Sequence, residues 1–341
     1  MELGSAVHYA GNVLEMAERV RTWEAIGLDV VWVAEAYGYD APTMMGYLAA
    51  RTERVQIGSA ILPLYSRTPA LLAQTAAGLD HISGGRAILG LGASGPQVIE
   101  GWHAVPYDKP LARTREIIDI CRRVWRREPL VNDGVYPIPL PAGQGTGLGK
   151  PLKLINHPDR ADIPIFVAAL GEKNVALTAE VADGWIPTMF IPEQAGAVWG
   201  GALATGAKAR PAELGPLRVV AGGALAIGED VTALRERARP NLALYIGGMG
   251  ARERNFYFNL ACRYGFEDEA NRIQDLYLEG RKEEAAALVP AELLERTSLI
   301  GPAGHVKERV AAYREAGVTI LNVNPIGADP IADLEQLRDW L

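Results

Sequence analysis

The chain has 341 residues, of which 49% are hydrophobic and 22% are charged, and its formal net charge at pH 7 is −7. This much apolar sequence favours one large α/β domain over residues 1–341 rather than two small ones. The acidic balance, with no Lys/Arg-rich run, argues against nucleic acid or an anionic membrane surface as the main partner.

The cysteines and the N-terminal residues indicate the cellular compartment of the protein. Cys121 and Cys262 are too few and too widely spaced for a disulfide framework or a metal motif, so we expect no metal. Residues 1–11 lack the basic start and apolar run of a signal peptide. No stretch reaches transmembrane length without a charge. We therefore expect a cytoplasmic protein.

The first quarter of the chain alternates strands with helices. Strands are predicted at Leu3–His8 and Val30–Glu35, and the second is continuously apolar, as a strand buried on both faces should be. A helix follows each of them. Asn12 can cap the first helix, and the second covers Ala41–Arg51.

Residues 55–92 are the most informative stretch. The apolar run VQIGSAILPLYSRTP breaks at Pro63, and Thr68 followed by Pro69 can begin a helix. Ser83-Gly84-Gly85 ends that helix, and AILGLG is a second buried strand. A crossover of this length joins parallel strands.

The remaining elements continue the same rhythm around two insertions. We predict a helix over Pro110–Arg127, a Pro/Gly-rich insertion over 128–162 with a hairpin near Asn132–Ile138, and a helical insertion over 232–295. The further strands and helices are Ile163–Ala169, Lys173–Ala182, Trp185–Pro187, Leu217–Ile227, Val306–Ala316 and Thr319–Asn324. Eight strand–helix units occupy about 250 residues in a typical (β/α)₈ barrel, and the surplus matches the insertions. No G-x-G-x-x-G with a suitably placed acidic residue supports the alternative, a Rossmann domain.

In such a barrel the functional groups lie at the carboxyl ends of the strands. Topology alone therefore selects a set of positions spread along the whole chain. They are His8, Glu35, Ala60-Ile61, Gly92, Ala93, Ser94 and Gly95, Ala169, Leu170 and Gly171, Trp185–Phe190, Gly222-Gly223, and Asn322–Asn324.

Several of these positions have both a functional and a structural interpretation. Glu35 ends an apolar strand, where a carboxylate needs a partner, so it either serves the site or caps the next helix and pairs with an arginine. Ala169, Leu170 and Gly171 precede a helix whose free N–H groups and Lys173 favour an anion. Lys173 is otherwise a solvated lysine. His8 and Tyr65 are candidate proton donors or structural hydrogen-bonding residues.

Four segments resemble the bacterial-luciferase-like superfamily, in family order and over most of the chain. They are GLDVVWVAE (27–35), SRTPALLAQTAAGLDHISGGRAILGLG (66–92), PIFVAALGEKNVALTAEVADGW (164–185) and LIGPAGHVKERVAAYREAGV (299–318). The LPLYSRTP loop most resembles the branch that uses the deazaflavin coenzyme F420, which includes methylenetetrahydromethanopterin reductase. This resemblance implies a (β/α)₈ barrel that transfers a hydride between deazaflavin C5 and a carbonyl, imine or activated alkene.

The resemblance also assigns expectations to individual residues. It places Glu35 and the loops 92–95 and 169–171 near the cofactor, and it implies a non-prolyl cis bond at Ala60-Ile61 behind the deazaflavin ring. The chain departs from the sugar-phosphate dehydrogenases of the family. Ala36 replaces their catalytic His and Gly95 replaces their catalytic Glu, which speaks against glucose-6-phosphate oxidation.

Two alternatives and two further expectations accompany this hypothesis. The alternatives are an FMN-dependent monooxygenase of the same superfamily and a cofactor-binding barrel without turnover. A basic rim of Arg67, Lys109, Arg113 and Lys173 could meet the glutamate tail of F420; the alternative is that these four are ordinary surface residues. The resemblance implies a homodimer, for which the apolar segments Met44–Leu48 and Leu71–Leu79 are the expected surface.

Overall fold

Eight parallel strands close into a barrel in the computed structural model, which describes residues 1–7, 12–252 and 254–341. The strands of the described chain are β1 (Glu2–Val7), β2 (Val30–Val33), β3 (Gln56–Ser59), β4 (Leu62–Pro63), β5 (Ala87–Gly92), β6 (Ile165–Ala168), β7 (Gly184–Ile186), β8 (Arg218–Ala221), β9 (Ala224–Ile227), β10 (Leu299–Gly301) and β11 (Ile320–Pro325). The barrel runs β1-β2-β3-β5-β6-β7-β8-β11, and pairing of β11 with β1 closes it. The predicted (β/α)₈ barrel is confirmed.

Helices cover the outside of the barrel. They are α1 (Val13–Ala25), α2 (Ala41–Arg51), α3 (Pro69–Ser83), α4 (Pro96–Gly101), α5 (Pro110–Trp125), α6 (Glu172–Val181), α7 (Pro192–Ala209), α8 (Val231–Gly248), α9 (Phe256–Arg263), α10 (Glu267–Leu278), α11 (Lys282–Ala287), α12 (Ala291–Arg296), α13 (Ala303–Glu315) and α14 (Pro330–Arg338). Among the described residues, none of these helices combines the length and the apolar character that a bilayer span requires.

The helix boundaries follow from side chains near each end. The Asn12 side chain accepts a hydrogen bond from the Leu14 N–H at the start of α1, as predicted. Thr68 accepts one from the Leu71 N–H at the start of α3, and Gly84 ends α3 in the left-handed conformation, with φ of 69°. These local signals fix where the chain leaves each strand and enters the outer layer.

Two aromatic rings fill the inside of the barrel. Trp32 of β2 and Phe166 of β6 have ring centroids 5.5 Å apart. The neighbouring strands β3 and β7 carry glycine beside these rings, because a Cβ on Gly58 would lie 2.5 Å from Trp32 and one on Gly184 would lie 2.1 Å from Phe166. An ion pair of Glu2 with Arg218 lies beside this cluster, since the Arg218 guanidinium is 5.3 Å from the Phe166 ring centroid. The interior is therefore a packed core rather than a pore.

The upper boundary of this interior core is partly exposed. Ala6, Ala60 and Ile186 pack on the Trp32–Phe166 cluster but are only partly buried. All three lie toward the carboxyl ends of their strands. They form the floor of the mouth of the barrel, which is the end where such folds place their ligands.

A bulge separates β3 from β4. Gly58 pairs with Ile88 and Leu62 pairs with Leu91. The chain therefore advances four residues on one side and three on the other, so the 58–62 segment contains one extra residue. The Ser59 hydroxyl replaces the interrupted ladder, because it donates to the Gly90 carbonyl and accepts from the Gly90 N–H, both at 2.8 Å. The Ala60-Ile61 peptide bond within the bulge is cis, which confirms that expectation.

The two insertions lie where the sequence indicates. Residues 128–162 contain a 3₁₀ turn at Ala142–Gln144 and one antiparallel bridge between Asn132 and Ile138, in place of a full hairpin. The carboxylate of Glu116 on α5 holds this segment by accepting from the N–H groups of Val135 and Tyr136 at 2.8 and 3.0 Å. The helical insertion over 232–295 corresponds to α8 to α12.

The structure also contains elements that the sequence did not predict. These are α7, α14 and the short strand β10, which pairs with β9 outside the barrel. The predicted strand Leu217–Ile227 is broken into β8 and β9 at Gly222-Gly223. A Cβ on Gly222 would lie 2.1 Å from the Asn322 carbonyl oxygen, so β11 approaches too closely there for a side chain.

The surface expected for dimerisation needs correction. Met44, Met45 and Leu48 of α2 and Leu72 and Leu79 of α3 are buried in the core, because these residues form the inner faces of their helices. Exposed apolar residues on the outer faces are Tyr47, Leu71 and Ile82.

Candidate active site

The bulge between β3 and β4 and the loop after β5 meet at the barrel mouth. Ile61 packs over Gly92, where a Cβ would lie 2.8 Å from the Ile61 Cγ1 atom. The Leu64 N–H donates to the Gly92 carbonyl at 2.9 Å. The structure therefore brings together two of the predicted site segments, residues 60–61 and 92–95.

The loop that follows β5 offers backbone rather than side-chain chemistry. Ser94 has a φ of 56° and its carbonyl accepts from the Tyr107 hydroxyl at 3.4 Å. Gly95 precedes α4 without a side-chain cap, and a Cβ there would meet nothing within 4 Å. Ala93, Ser94 and Gly95 are thus partly exposed at the mouth, whereas Gly92 is buried beneath Ile61.

Glu35 is a buried, fully engaged carboxylate. Its side chain is 5% exposed and forms two hydrogen bonds with the Arg67 guanidinium, at 2.6 and 2.8 Å. It also accepts from the Ala41 N–H at the start of α2, at 2.7 Å. Both features of the structural interpretation, a helix cap and an arginine partner, are present. Glu35 thereby ties the ends of β2 and β4 to each other.

Tyr65 belongs to an aromatic stack beside this ion pair. Its ring stacks on Tyr107 with centroids 5.0 Å apart, and the Arg113 guanidinium lies between the rings of Tyr65 and Tyr136, at 5.2 and 5.1 Å. The Tyr65 hydroxyl donates to the Asp108 carbonyl at 2.8 Å. Burial raises the pKa of the Tyr65 phenol above its ordinary value. This tyrosine is therefore a protonated residue whose hydrogen bond is already made.

The segment after β6 exposes the start of a helix. The carbonyls of Ala169 and Leu170 accept from the indole N–H groups of Trp185 and Trp199, at 2.8 and 3.0 Å, which fixes the loop. Gly171 precedes α6 with no side-chain cap, and a Cβ there would meet nothing within 4 Å. Lys173 is exposed in the first turn. Uncapped N–H groups at a helix start, with a lysine beside them, can bind an anion.

The predicted basic rim is only partly available. Arg67 forms an ion pair with Glu35. Arg113 pairs with Asp108 at 2.5 Å and is enclosed by tyrosines. Lys109 and Lys173 remain exposed. Two of the four residues expected in the rim are therefore already paired with carboxylates inside the protein. His8 lies outside the described residues.

A cavity of about 240 Å³ occupies the other side of the mouth. The ends of β7, β8, β9 and β11 form its floor and the insertion helices α8 and α12 form its wall; residues that line it include Thr188, Gly222, Arg237, Asn241, Tyr245, Thr297, Asn322 and Asn324. Topology selected Gly222-Gly223 and Asn322–Asn324, whereas Arg237 and Asn241 were missed. Their helix lies in an insertion, and no sequence pattern indicates that it folds over the mouth.

Comparisons with known proteins agree with this architecture. The sequence profile of the luciferase-like monooxygenase family matches residues 1–319. A protein of Mycobacterium tuberculosis, named as a coenzyme F420-dependent oxidoreductase, is 43% identical over 99% of this chain and 99% of its own. The 5,10-methylenetetrahydromethanopterin reductase of Archaeoglobus fulgidus is 28% identical over 92% of this chain and 91% of its own.

Among solved structures, the coenzyme F420-dependent tetrahydromethanopterin reductase of Methanopyrus kandleri superposes with a TM-score of 0.83. It is 22% identical, and the match covers 98% of this chain and 96% of that one. At this level of identity the likeness concerns the fold, including the closed barrel and the position of its mouth.

Proposed function

Since the chain belongs to the luciferase-like monooxygenase family, we propose that it is an F420-dependent oxidoreductase acting on a small organic molecule. The observation that carries this proposal is the 43% identity, over 99% of both chains, to a relative named for F420 dependence. The barrel mouth supports it, because glycines and an uncapped helix start leave room and free N–H groups for a large anionic cofactor.

In the proposed arrangement the deazaflavin ring lies against Ala60-Ile61 and the 92–95 backbone. Ala60, Ile61 and residues 93–95 are partly exposed at the mouth, and Ile61 packs over the buried Gly92. Ala169–Gly171, the start of α6 and Lys173 would hold the phosphate and glutamate tail, because they favour negative charge. When bound, F420 supplies the hydride donor or acceptor, and the protein positions the substrate and excludes water.

We assign Glu35 a positioning role rather than a direct one. Its carboxylate already holds Arg67 and the α2 start, so it shapes the wall of the site through those groups. Tyr65 is a poor candidate for the proton donor, because its hydroxyl would first have to leave the Asp108 carbonyl. His8 and solvent remain the candidates for that role.

The decisive experiment is a titration of the purified protein with F420 and with FMN, each followed by fluorescence. We expect binding of F420 and much weaker binding of FMN. Tighter FMN binding with no detectable F420 binding would favour the FMN-dependent monooxygenase instead. Binding of F420 with no turnover against ketones, imines and enones would favour the barrel without activity.

We also propose that the protein is a cytoplasmic homodimer, as the family resemblance implies. The outer faces of α2 and α3 support this, because Tyr47, Leu71 and Ile82 are 37%, 47% and 60% exposed there. Replacing both Leu71 and Ile82 with Lys should convert a dimeric mass in light scattering to a monomeric one. A monomeric mass of the unaltered protein at micromolar concentration contradicts the proposal.

A further inference from the structure

One arginine at the cavity lacks the acidic partner that its neighbours have. On α8, Arg235 pairs with Glu295 at 3.3 Å and Arg239 pairs with Glu236 at 2.6 Å. Arg237 instead donates to the Ile326 carbonyl at 2.9 Å, and it has no carboxylate within salt-bridge distance among the residues that the structure describes. Arg237 is exposed, so its remaining N–H donors face solvent and can bind an anion at the cavity.

An asparagine at the cavity floor also has an unused polar atom. The Oδ1 atom of Asn322 is buried without a hydrogen-bond partner, and so is the Nε1 atom of Trp32. A Cβ on Gly4 would lie 3.3 Å from the first atom and 3.2 Å from the second, so both flank the same glycine. The indole N–H is a donor only and the amide oxygen an acceptor. These two groups do not hydrogen-bond each other, and because Asn322 lines the cavity, its amide N–H groups are available to a ligand there.

The size and charge of the cavity restrict its ligand. Its volume of about 240 Å³ lies just below the range of about 300–1,000 Å³ for the sites of drug-sized ligands. Among the described residues that line it, Arg237 is the one charged side chain, since no carboxylate is present there. The cavity therefore suits a compact molecule that carries negative charge and hydrogen-bond acceptors.

We propose that this cavity is the substrate site and that the substrate class is small oxo acids. The carboxylate binds the Arg237 guanidinium, and the Asn322 amide N–H groups donate to the carbonyl oxygen. When bound, reduced F420 would supply the hydride to the carbonyl carbon and solvent would supply the proton to its oxygen, so that the oxo acid would become a hydroxy acid as the cofactor is oxidised. This inference rests on the proposed function for its reaction, whereas the ligand class rests on the cavity itself.

The test measures binding and turnover separately. Calorimetry on the cofactor-free protein compares pyruvate, 2-oxobutanoate and 2-oxopentanoate with their neutral amides, and reduced-F420 oxidation compares the same pairs. We expect the acids to be favoured at least tenfold. Arg237→Gln should reduce that preference to about one, and Asn322→Asp should abolish acid binding by repulsion. Both variants should keep F420 affinity within about twofold of the unaltered protein.

The matched control is Arg235→Gln, which removes the same charge from the same helix but from an ion-paired residue. It should leave the preference for acids intact. Equal binding of acids and amides, or equal effects of Arg235→Gln and Arg237→Gln, overturns the proposal. A parallel loss of F420 affinity in Arg237→Gln would also overturn it, because the cavity would then belong to the cofactor.

Failure of the proposed function gives a different pattern. If F420 does not bind, yet the cofactor-free protein prefers oxo acids in an Arg237-dependent way, the proposed ligand class is retained and the proposed reaction is wrong. If F420 binds and the acid preference is absent, only the substrate proposal falls.

Discussion

On the side of the barrel mouth formed by β3, β5 and β6, the charged side chains of Glu35, Arg67 and Arg113 are already paired. On the side formed by β7, β8 and β11, Arg237 and Asn322 have polar groups without such partners. We call these the backbone side and the cavity side. The first presents main-chain groups on a rigid frame, whereas the second presents side chains that a ligand can satisfy.

This difference suggests a division of labour. A cofactor shared by many family members can be held by backbone groups, which depend little on residue identity. A substrate must be distinguished from similar molecules, and buried or unpaired side-chain groups provide that discrimination. The four predictions below test each side, beginning with the largest expected effect.

The backbone side should depend strongly on its buried ion pair. Glu35→Gln leaves the Arg67 guanidinium, whose side chain is 14% exposed, without a carboxylate. Breaking a buried pair in this way costs about 3 kcal/mol of unfolding free energy, measured by urea denaturation. F420 affinity should fall with it, because the pair joins β2 to the loop that follows β4.

The control for this prediction is Glu180→Gln. Its partner Arg115 is 50% exposed and the pair has two hydrogen bonds, at 2.8 and 2.6 Å. An exposed pair contributes at most about 1 kcal/mol. Similar losses in both variants would show that Glu35 is an ordinary surface acid in energetic terms.

The anion site at α6 should separate stability from binding. Gly171 has φ of −73° and ψ of 143°, which other residues adopt, and a Cβ there meets nothing within 4 Å. Gly171→Asp should add a helix cap that stabilises the protein by a few tenths of a kcal/mol. Its carboxylate should repel the cofactor tail and weaken F420 binding about tenfold, equivalent to ~1.4 kcal/mol.

Gly171→Asn is the uncharged match, since it caps the helix without adding charge. It should keep most of the F420 affinity. If the Asp and Asn variants bind F420 equally well, the cofactor tail does not reach α6 and the proposed orientation is wrong.

The fold was largely readable from the sequence because each element carries its own signals. Asn12 and Thr68 mark helix starts, and the apolar strand Val30–Val33 marks a buried strand. The missed helix α7 is rich in Gly and Ala, so its apolar periodicity is weak. The cis bond at Ala60-Ile61 has no local signature and was expected only through family resemblance.

The site was less readable because it depends on contacts between distant residues. Glu35 and Arg67 are 32 residues apart, and the sequence left open whether they meet. Arg237 and Asn322 belong to an insertion helix and the last barrel strand. Only the folded chain shows that both line one cavity and that Arg237, unlike Arg235, has no acidic partner among the described residues.

Tyr65 tests whether the backbone side takes part in proton transfer. Tyr65→Phe removes the hydrogen bond to the Asp108 carbonyl, which should lower the unfolding free energy by about 1 kcal/mol. Turnover should change less than about threefold, because burial keeps the pKa of this phenol raised and its proton is committed. A general acid would contribute about 10²–10⁴-fold. A loss of that size in steady-state kinetics would identify Tyr65 as the proton donor after all.

The smallest effect concerns Asp333, which is buried on α14 behind the cavity side. Its Oδ1 atom accepts from the Ile227 N–H at 3.3 Å, and its Oδ2 atom is buried without a partner. Burial raises the pKa of this carboxyl above its ordinary value of 3.8. A raised pKa means that the folded state binds the proton more tightly than the unfolded state does. The contribution of Asp333 to stability is therefore greatest below pH 3.8 and is lost as the pH rises through the folded value.

Asp333→Asn removes this titration and retains an oxygen for Ile227. Relative to the unaltered protein, the variant should therefore gain stability between pH 4 and pH 7, by an amount within about 1 kcal/mol. Urea denaturation at the two pH values measures the difference, and the exposed Asp133, replaced by Asn, provides the reference. A difference that is constant with pH, or one that shrinks as the pH rises, would mean that the Asp333 carboxylate has a stabilising partner in the folded protein. The contrast between the two sides would then rest on Arg237 and Asn322 alone.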